Sequence, residues 1–179
     1  FQSVTTRTAG FASISQSGLT NGSKLLASML MIIGGSPAGP AGGIKTTTVA
    51  VLLLTAISVL RGNKDTECYG RKITFEIIRV GITITLVTFV FWLFGVTVMT
   101  VIEPQQKVLD LMFEATSAMA TVGLTADLTP VLSDISHVVL MLMMYIGRIG
   151  PMTMALIFSG HVDKKNQFRT LPEAKIMVG

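Results

Sequence analysis

The chain has 179 residues, half of them hydrophobic and only 13% charged, with a mean hydropathy of +0.65. An average soluble domain carries about 25% charged residues, so an ordinary soluble globular protein is excluded. The net charge of +4 does not signal a nucleic-acid partner, because the basic residues are not gathered into a face with interleaved aromatics. A single cysteine, Cys68, excludes a disulfide framework within the chain and any multi-cysteine metal site.

The chain opens on Phe1 without a charged leader followed by an apolar run and a cleavage site, and it reads as part of a longer protein. Near the start lies Thr8-Ala-Gly-Phe11. An apolar stretch follows over 24–60, which as a straight helix would be roughly 55 Å long, against a hydrocarbon core of about 30 Å. Its middle, 34–43, reads Gly-Gly-Ser-Pro-Ala-Gly-Pro-Ala-Gly-Gly, with five glycines and two prolines. Missing donors and backbone entropy break a helix there. The expectation is two apolar helices separated by an irregular segment. At membrane depth, that segment's backbone groups must be buried in protein or line a watery cavity.

The link 61–72 is basic, with Arg61, Lys64, Arg71 and Lys72. Residues 73–102 then read as a plain transmembrane helix. The next link, 103–136, is acidic, yet Val108 to Ala120 forms a helix-length apolar segment too short to span, and it runs into Thr121-Val-Gly-Leu-Thr125. A short helix followed by a Thr-Val-Gly strand suggests a re-entrant pore loop whose extended carbonyls could replace a cation's hydration shell. The last stretch, 137–160, encloses Gly147-Arg-Ile-Gly-Pro151. An arginine facing lipid there would cost about 2.5–3.5 kcal/mol, so Arg148 is expected to face protein or water. The tail holds Lys164, Lys165, Arg169 and Lys175. By the positive-inside rule, the 61–72 link and the C-terminus are cytoplasmic and the acidic link is external.

One Thr-Val-Gly carries little information, but Thr8-Ala-Gly-Phe11 and Thr121-Val-Gly-Leu124 share a pattern, and each precedes a polar linker and then a broken apolar stretch. Two classes of protein fit broken spans: a channel-like cation pathway, and an alternating-access secondary transporter with substrate at the midplane. The paired short-helix and Thr-x-Gly elements favour the first. No enzyme is expected. Gly39 to Thr46 resembles a phosphate-binding loop only superficially, because Ile44 separates Gly43 from Lys45. His137 and His161 lack the spacing of a metal pair or of a nucleophile's base.

Thr5 to Phe11, Ile33 to Thr48, Ala120 to Thr125 and Tyr145 to Pro151 together resemble the Trk/Ktr/HKT cation transporters, with wording most similar to the membrane subunit of Ktr-type bacterial potassium uptake systems. The resemblance implies an all-α membrane protein of the cell (inner) membrane, built from helix, re-entrant pore loop, helix repeats of potassium-channel type with a broken gating helix. It implies that 1–72 ends a third pore unit and that 73–179 forms a fourth with its cytoplasmic tail. The filter residues would then be Thr8, Ala9, Gly10 and Phe11 with Thr121, Val122, Gly123 and Leu124, and potassium would sit at Thr8, Ala9, Gly10, Thr121, Val122 and Gly123. The gate would be the 34–43 loop, with Gly34, Gly35, Ser36, Gly39, Gly42 and Gly43, together with Lys45 and an Arg148 that projects into the pore at that level. Potassium is the implied transported ion, with sodium as a second candidate. The implied partners are the first two pore units of the same polypeptide, a second copy in a homodimer, a cytoplasmic nucleotide-binding regulatory ring, and the lipid bilayer. In this family a more flexible run is expected where Ala38-Gly-Pro-Ala41 stands.

Overall fold

The computed structural model describes residues 1–37, 41–63 and 65–150. Its helices are α1 (Gln2–Thr5), α2 (Asn21–Ile32), α3 (Thr46–Leu60), α4 (Phe75–Ile102), α5 (Val108–Met119) and α6 (Asp134–Ile149). A 3-10 turn at Thr129–Val131 precedes α6. The link between α3 and α4 contains a short hairpin. Strands β1 (Glu67–Cys68) and β2 (Arg71–Lys72) pair antiparallel in it. Tyr69 and Gly70 both take positive φ at their turn, which is what a two-residue hairpin of right-handed twist requires. Cys68 therefore lies in a strand.

Local chemistry sets the helix ends. Thr20 caps α2 by accepting the amide of Ser23, and Ser133 caps α6 by accepting the amide of Ser136. At 28 residues, α4 would be about 42 Å long and can cross a bilayer. Among the described residues it alone is both long and apolar enough to do so. Its threonines would each be costly in hydrocarbon if left unpartnered. The hydroxyls of Thr83, Thr85, Thr88, Thr97 and Thr100 all donate to the carbonyl four residues back, at 2.8–2.9 Å. The side chains of Leu86, Phe89, Val90, Leu93 and Phe94 are exposed along the same helix. In water that apolar surface would be unfavourable, and in lipid it is not.

The expected break in the first stretch is present and runs slightly wider, from Ile33 to Lys45. Its ends are drawn together: the Gly34 amide donates to the Ile44 carbonyl at 2.9 Å, and the Ile44 amide to the Ile32 carbonyl at 3.1 Å. No Cβ fits at Gly34, where it would lie 2.1 Å from the Gly42 carbonyl oxygen. The described part of the last stretch ends in α6 at Ile149. The continuation expected through Phe158 lies outside the described residues, as do His161 and the basic tail.

Two apolar clusters hold α5 in place. Met99, Leu111, Ala115, Ala118, Met119, Leu140 and Met143 join it to α4 and α6. Met31, Phe113, Ala120, Val122, Leu124 and Ala126 join it to α2 and to the segment that follows it. Two close crossings fix α6. A Cβ on Gly95 would meet the Met143 sulfur at 2.3 Å, and one on Gly147 would meet the Met119 carbonyl oxygen at 2.0 Å.

Candidate functional site

The short apolar helix expected at 108–120 is α5. It delivers the chain directly into Thr121 to Leu124, just as α1 delivers it into Thr8 to Phe11. Neither segment is a strand. Both carry the same unusual backbone: φ is +63° at Thr8 and +73° at Gly10, and +54° at Thr121 and +92° at Gly123. A β-branched residue in the left-handed region is a true outlier, costing roughly 1–3 kcal/mol, and it persists only where the surroundings impose it. Sequence reasoning anticipated the glycines and not the threonines.

The amides explain how this backbone is imposed. Ala9 and Gly10 both donate to the carbonyl of Thr5, at 3.2 and 3.1 Å, and the amide of Phe11 donates to the Thr5 hydroxyl at 2.9 Å. In the second segment, Val122 donates to the Ser117 carbonyl at 2.9 Å and Gly123 to the Ser117 hydroxyl at 3.2 Å. Each N–H thus points back at the helix that precedes it. The described peptides are trans, so a carbonyl points opposite to the N–H of the following residue. The carbonyls of Thr8, Ala9, Thr121 and Val122 are therefore turned away from their helix ends. Side-chain burial agrees for the second segment, where Val122 and Leu124 are 6% and 3% exposed in the core behind it while Gly123 is open. Phe11, which matches Leu124, is 73% exposed in this chain.

The two segments meet. A Cβ on Gly10 would stand 2.0 Å from the Val122 carbonyl oxygen and 3.6 Å from the Gly123 Cα, so only glycine allows this approach. The broken span reaches the same place. The Gly42 amide donates to the Thr121 hydroxyl at 3.0 Å, and a Cβ on Gly35 would come within 3.8 Å of the Thr8 hydroxyl. Gly43 packs against Ala120. Lys45 folds back so that its Nζ donates to the Ala41 carbonyl. Ser36 is exposed, and Gly39 lies outside the described residues. Arg148 occupies the last turn of α6, where a cation suits the helix dipole, one residue beyond the contact of Gly147 with the end of α5. Its side chain is exposed in this chain.

Several polar contacts that sequence reasoning missed position this assembly. Glu114 is 5% exposed inside α5. It accepts the Ala126 amide at 3.0 Å and the Thr125 hydroxyl on Oε1, and the Thr129 hydroxyl at 3.1 Å on Oε2. Lys24 of α2 and Asp110 of α5 form an ion pair at 2.6 Å with both side chains largely buried. Asp127 accepts the hydroxyls of Ser15 and Ser17, which ties together the linkers that follow the two segments. Trp92 of α4 donates to the Thr116 hydroxyl at 2.8 Å. In the sequence, these acids looked only like charges of an external link.

Comparison with known proteins decides the family. The profile of the TrkH family, described as cation transport protein, matches residues 1–169. The chain belongs to the TrkH family. It is 36% identical over 179 residues to the Ktr system potassium uptake protein B of Bacillus subtilis, covering all of this chain and 39% of that protein. It is also 36% identical over 182 residues to the potassium/sodium uptake protein NtpJ of Enterococcus hirae, covering all of this chain and 40% of that relative. Against the Ktr system potassium uptake protein D of Bacillus subtilis the identity is 33%, over the whole chain and 39% of the relative. The chain thus spans about two fifths of the length of these relatives. The names of these relatives describe potassium or potassium/sodium uptake proteins.

Proposed function

We propose that this chain supplies two of the pore-loop elements of a potassium-translocating pathway across the bacterial cell membrane. The carbonyls of Thr8, Ala9 and Gly10 and of Thr121, Val122 and Gly123 form part of a selectivity filter. The observation that carries this reading is the shared backbone of the two segments. Each places left-handed residues at Thr and Gly, each turns its amides to the preceding helix, and the two touch at Gly10 and Val122. Carbonyls turned away from the helix ends can replace the water around a weakly hydrated cation without any charged side chain.

In this reading the loop from Gly34 to Gly43 is the gate, because Gly42 and Gly35 lie against Thr121 and Thr8. Lys45 holds the loop's base through Ala41. Arg148 adds a positive charge beside the end of α5, which raises a barrier to cations at the gate and can hold loop carbonyls. Sodium is a second ion for the same path. The remaining filter elements come from the rest of the polypeptide, and a homodimer with a cytoplasmic nucleotide-binding ring completes the assembly, with the C-terminus cytoplasmic.

The test is potassium uptake in a transport-deficient cell by the complete polypeptide carrying Gly123→Ser. A Cβ at Gly123 meets nothing within 4 Å, so the substitution adds only backbone strain. Loss of potassium preference, with protein still in the membrane, is the expected result. Unchanged selectivity would remove the pore-loop reading and leave the alternating-access transporter.

A further inference from the structure

The segment from Thr121 to Leu124 has two ends, and they are held by different means. Its start is tied to α5, through the amides of Ala120, Thr121, Val122 and Gly123 on Thr116, Ala118 and Ser117. Its far end is tied to Glu114, whose carboxylate gathers the Thr125 hydroxyl, the Ala126 amide and the Thr129 hydroxyl. The Thr129 hydroxyl also lies 3.0 Å from that of Thr125, which closes the group into a network. The carboxylate lies about one helical turn from Ser117, so α5 grips the segment at both ends and leaves Gly123 open between them.

The first segment is anchored without a charged group. Thr8 matches Thr121, so the position that matches Glu114 is Phe1, which is 71% exposed. There the far end is held by neutral groups: the Thr5 hydroxyl takes the Phe11 amide at 2.9 Å and donates to the Phe11 carbonyl at 2.6 Å, while the Gln2 side chain of α1 donates to the Ser13 hydroxyl at 2.9 Å and accepts from Gln16 at 3.0 Å. Bonds to an ionised acceptor are about twice as strong as neutral ones, and a two-oxygen acceptor holding three donors fixes direction as well as distance. A buried carboxylate is also costly to desolvate, so its retention needs all of its partners.

We propose that Glu114 is a positioning residue that sets cation preference, by fixing the outer end of the second filter segment through Thr125 and Ala126. This inference rests on the filter reading above and extends it to a residue that does not touch the ion. Discrimination between two monovalent cations depends on the placement and stiffness of the carbonyl oxygens. Loosening the outer anchor lets the Gly123 and Leu124 carbonyls move and should reduce discrimination before it reduces flux.

The test uses the complete polypeptide reconstituted in vesicles, with rubidium uptake measured against rising sodium and normalised to the amount of protein inserted. Glu114→Ala should lower the rubidium-over-sodium preference about tenfold, as expected for the loss of charge-assisted bonds. Glu114→Gln keeps one acceptor oxygen at the same length but loses the charge and the second acceptor, and should restore only part of that preference. Thr125→Val removes a single bond and should give an intermediate value, which keeps the test open if Glu114→Ala fails to fold. Leu128→Ala, in the apolar cluster nearby, is the comparison for a merely structural defect; it should lower the inserted amount and leave the preference unchanged. Unchanged preference in the inserted Glu114 and Thr125 variants would overturn the proposal, as would a preference lost equally in Leu128→Ala. Gly123→Ser separates the two levels. If it abolishes preference while the Glu114 variants do not, only this inference fails; if it too has no effect, the filter reading fails first.

Discussion

The amide of Gly42 donates to the hydroxyl of Thr121 across 79 positions of sequence, at 3.0 Å, and so joins the broken span to the second Thr-x-Gly segment. A Cβ at position 42 would fall 2.4 Å from that hydroxyl and 2.9 Å from the Ala120 carbonyl oxygen. Since one obstacle is backbone, Gly42→Ala must push the loop off the segment. Under the gate reading, rubidium flux in vesicles then rises about two- to tenfold, the equivalent of one net hydrogen bond. Thr121→Val, which removes the acceptor at nearly constant volume, should act in the same direction. Flux unchanged or lowered in both would show that this contact is no barrier.

The glycines of the two segments should differ in what they tolerate. At Gly10 a Cβ combines a positive φ with a 2.0 Å clash on a backbone oxygen, whereas at Gly123 it meets only the strain of φ +92°. Left-handed strain costs about 1–2 kcal/mol, and forcing extra volume into a packed contact adds about 1–3 kcal/mol. Gly10→Ala should therefore destabilise the detergent-solubilised protein clearly more than Gly123→Ala. Thermal unfolding of the two variants side by side checks the order, and equal losses would mean that the segments do not touch as described.

These contrasts mark where the sequence could be read and where it could not. The break at 34–43 was legible because glycine and proline act on their own backbone, and α5 was legible because an apolar run with a defined length needs no distant partner. The left-handed threonines were not, since a β-branched residue adopts that conformation only when Ser117 and Thr5 take up its neighbours' amides. Glu114, Asp110 and Asp127 were read only as charges of an acidic link for the same reason: their partners lie 11 to 112 residues away. The hairpin at 67–72 was missed because its two-residue strands are too short to show alternation.

Two carboxyls in the links around α5 make acid stability a further test. Hydrogen bonds from the Ser15 and then the Ser17 hydroxyl hold Asp127 below its ordinary value of 3.8. The Ser133 hydroxyl and amide, with the Ser136 hydroxyl, hold Glu103 below its ordinary value of 4.5. A group whose native pKa is depressed stabilises the fold fully above the ordinary value, and that contribution is lost as pH falls through the depressed one. Melting temperature should thus decline in acid below pH 4.5. Replacing both Ser15 and Ser17 with alanine returns Asp127 toward 3.8, so the variant should melt lower at neutral pH and show a shallower decline in acid. A parallel decline in both proteins would place the acid sensitivity elsewhere.

The ion pair of Lys24 and Asp110 carries the last expectation, because it is the polar tie between α2 and α5 and so between the broken span and the helix that holds Thr121. The side chains are only 7% and 19% exposed, and the nitrogen and oxygen are 2.6 Å apart. Removing one partner strands a buried charge, which typically costs about 3–5 kcal/mol, while replacing both with apolar groups is often close to neutral. Asp110→Asn should therefore lower the melting temperature of the purified protein sharply. The double variant Lys24→Met with Asp110→Leu should recover most of the loss. A cycle of the two single variants and the double gives the coupling directly. If the losses simply add, the pair does not act as a unit, and α2 is held on α5 by the apolar contacts of Met31 and Phe113 instead.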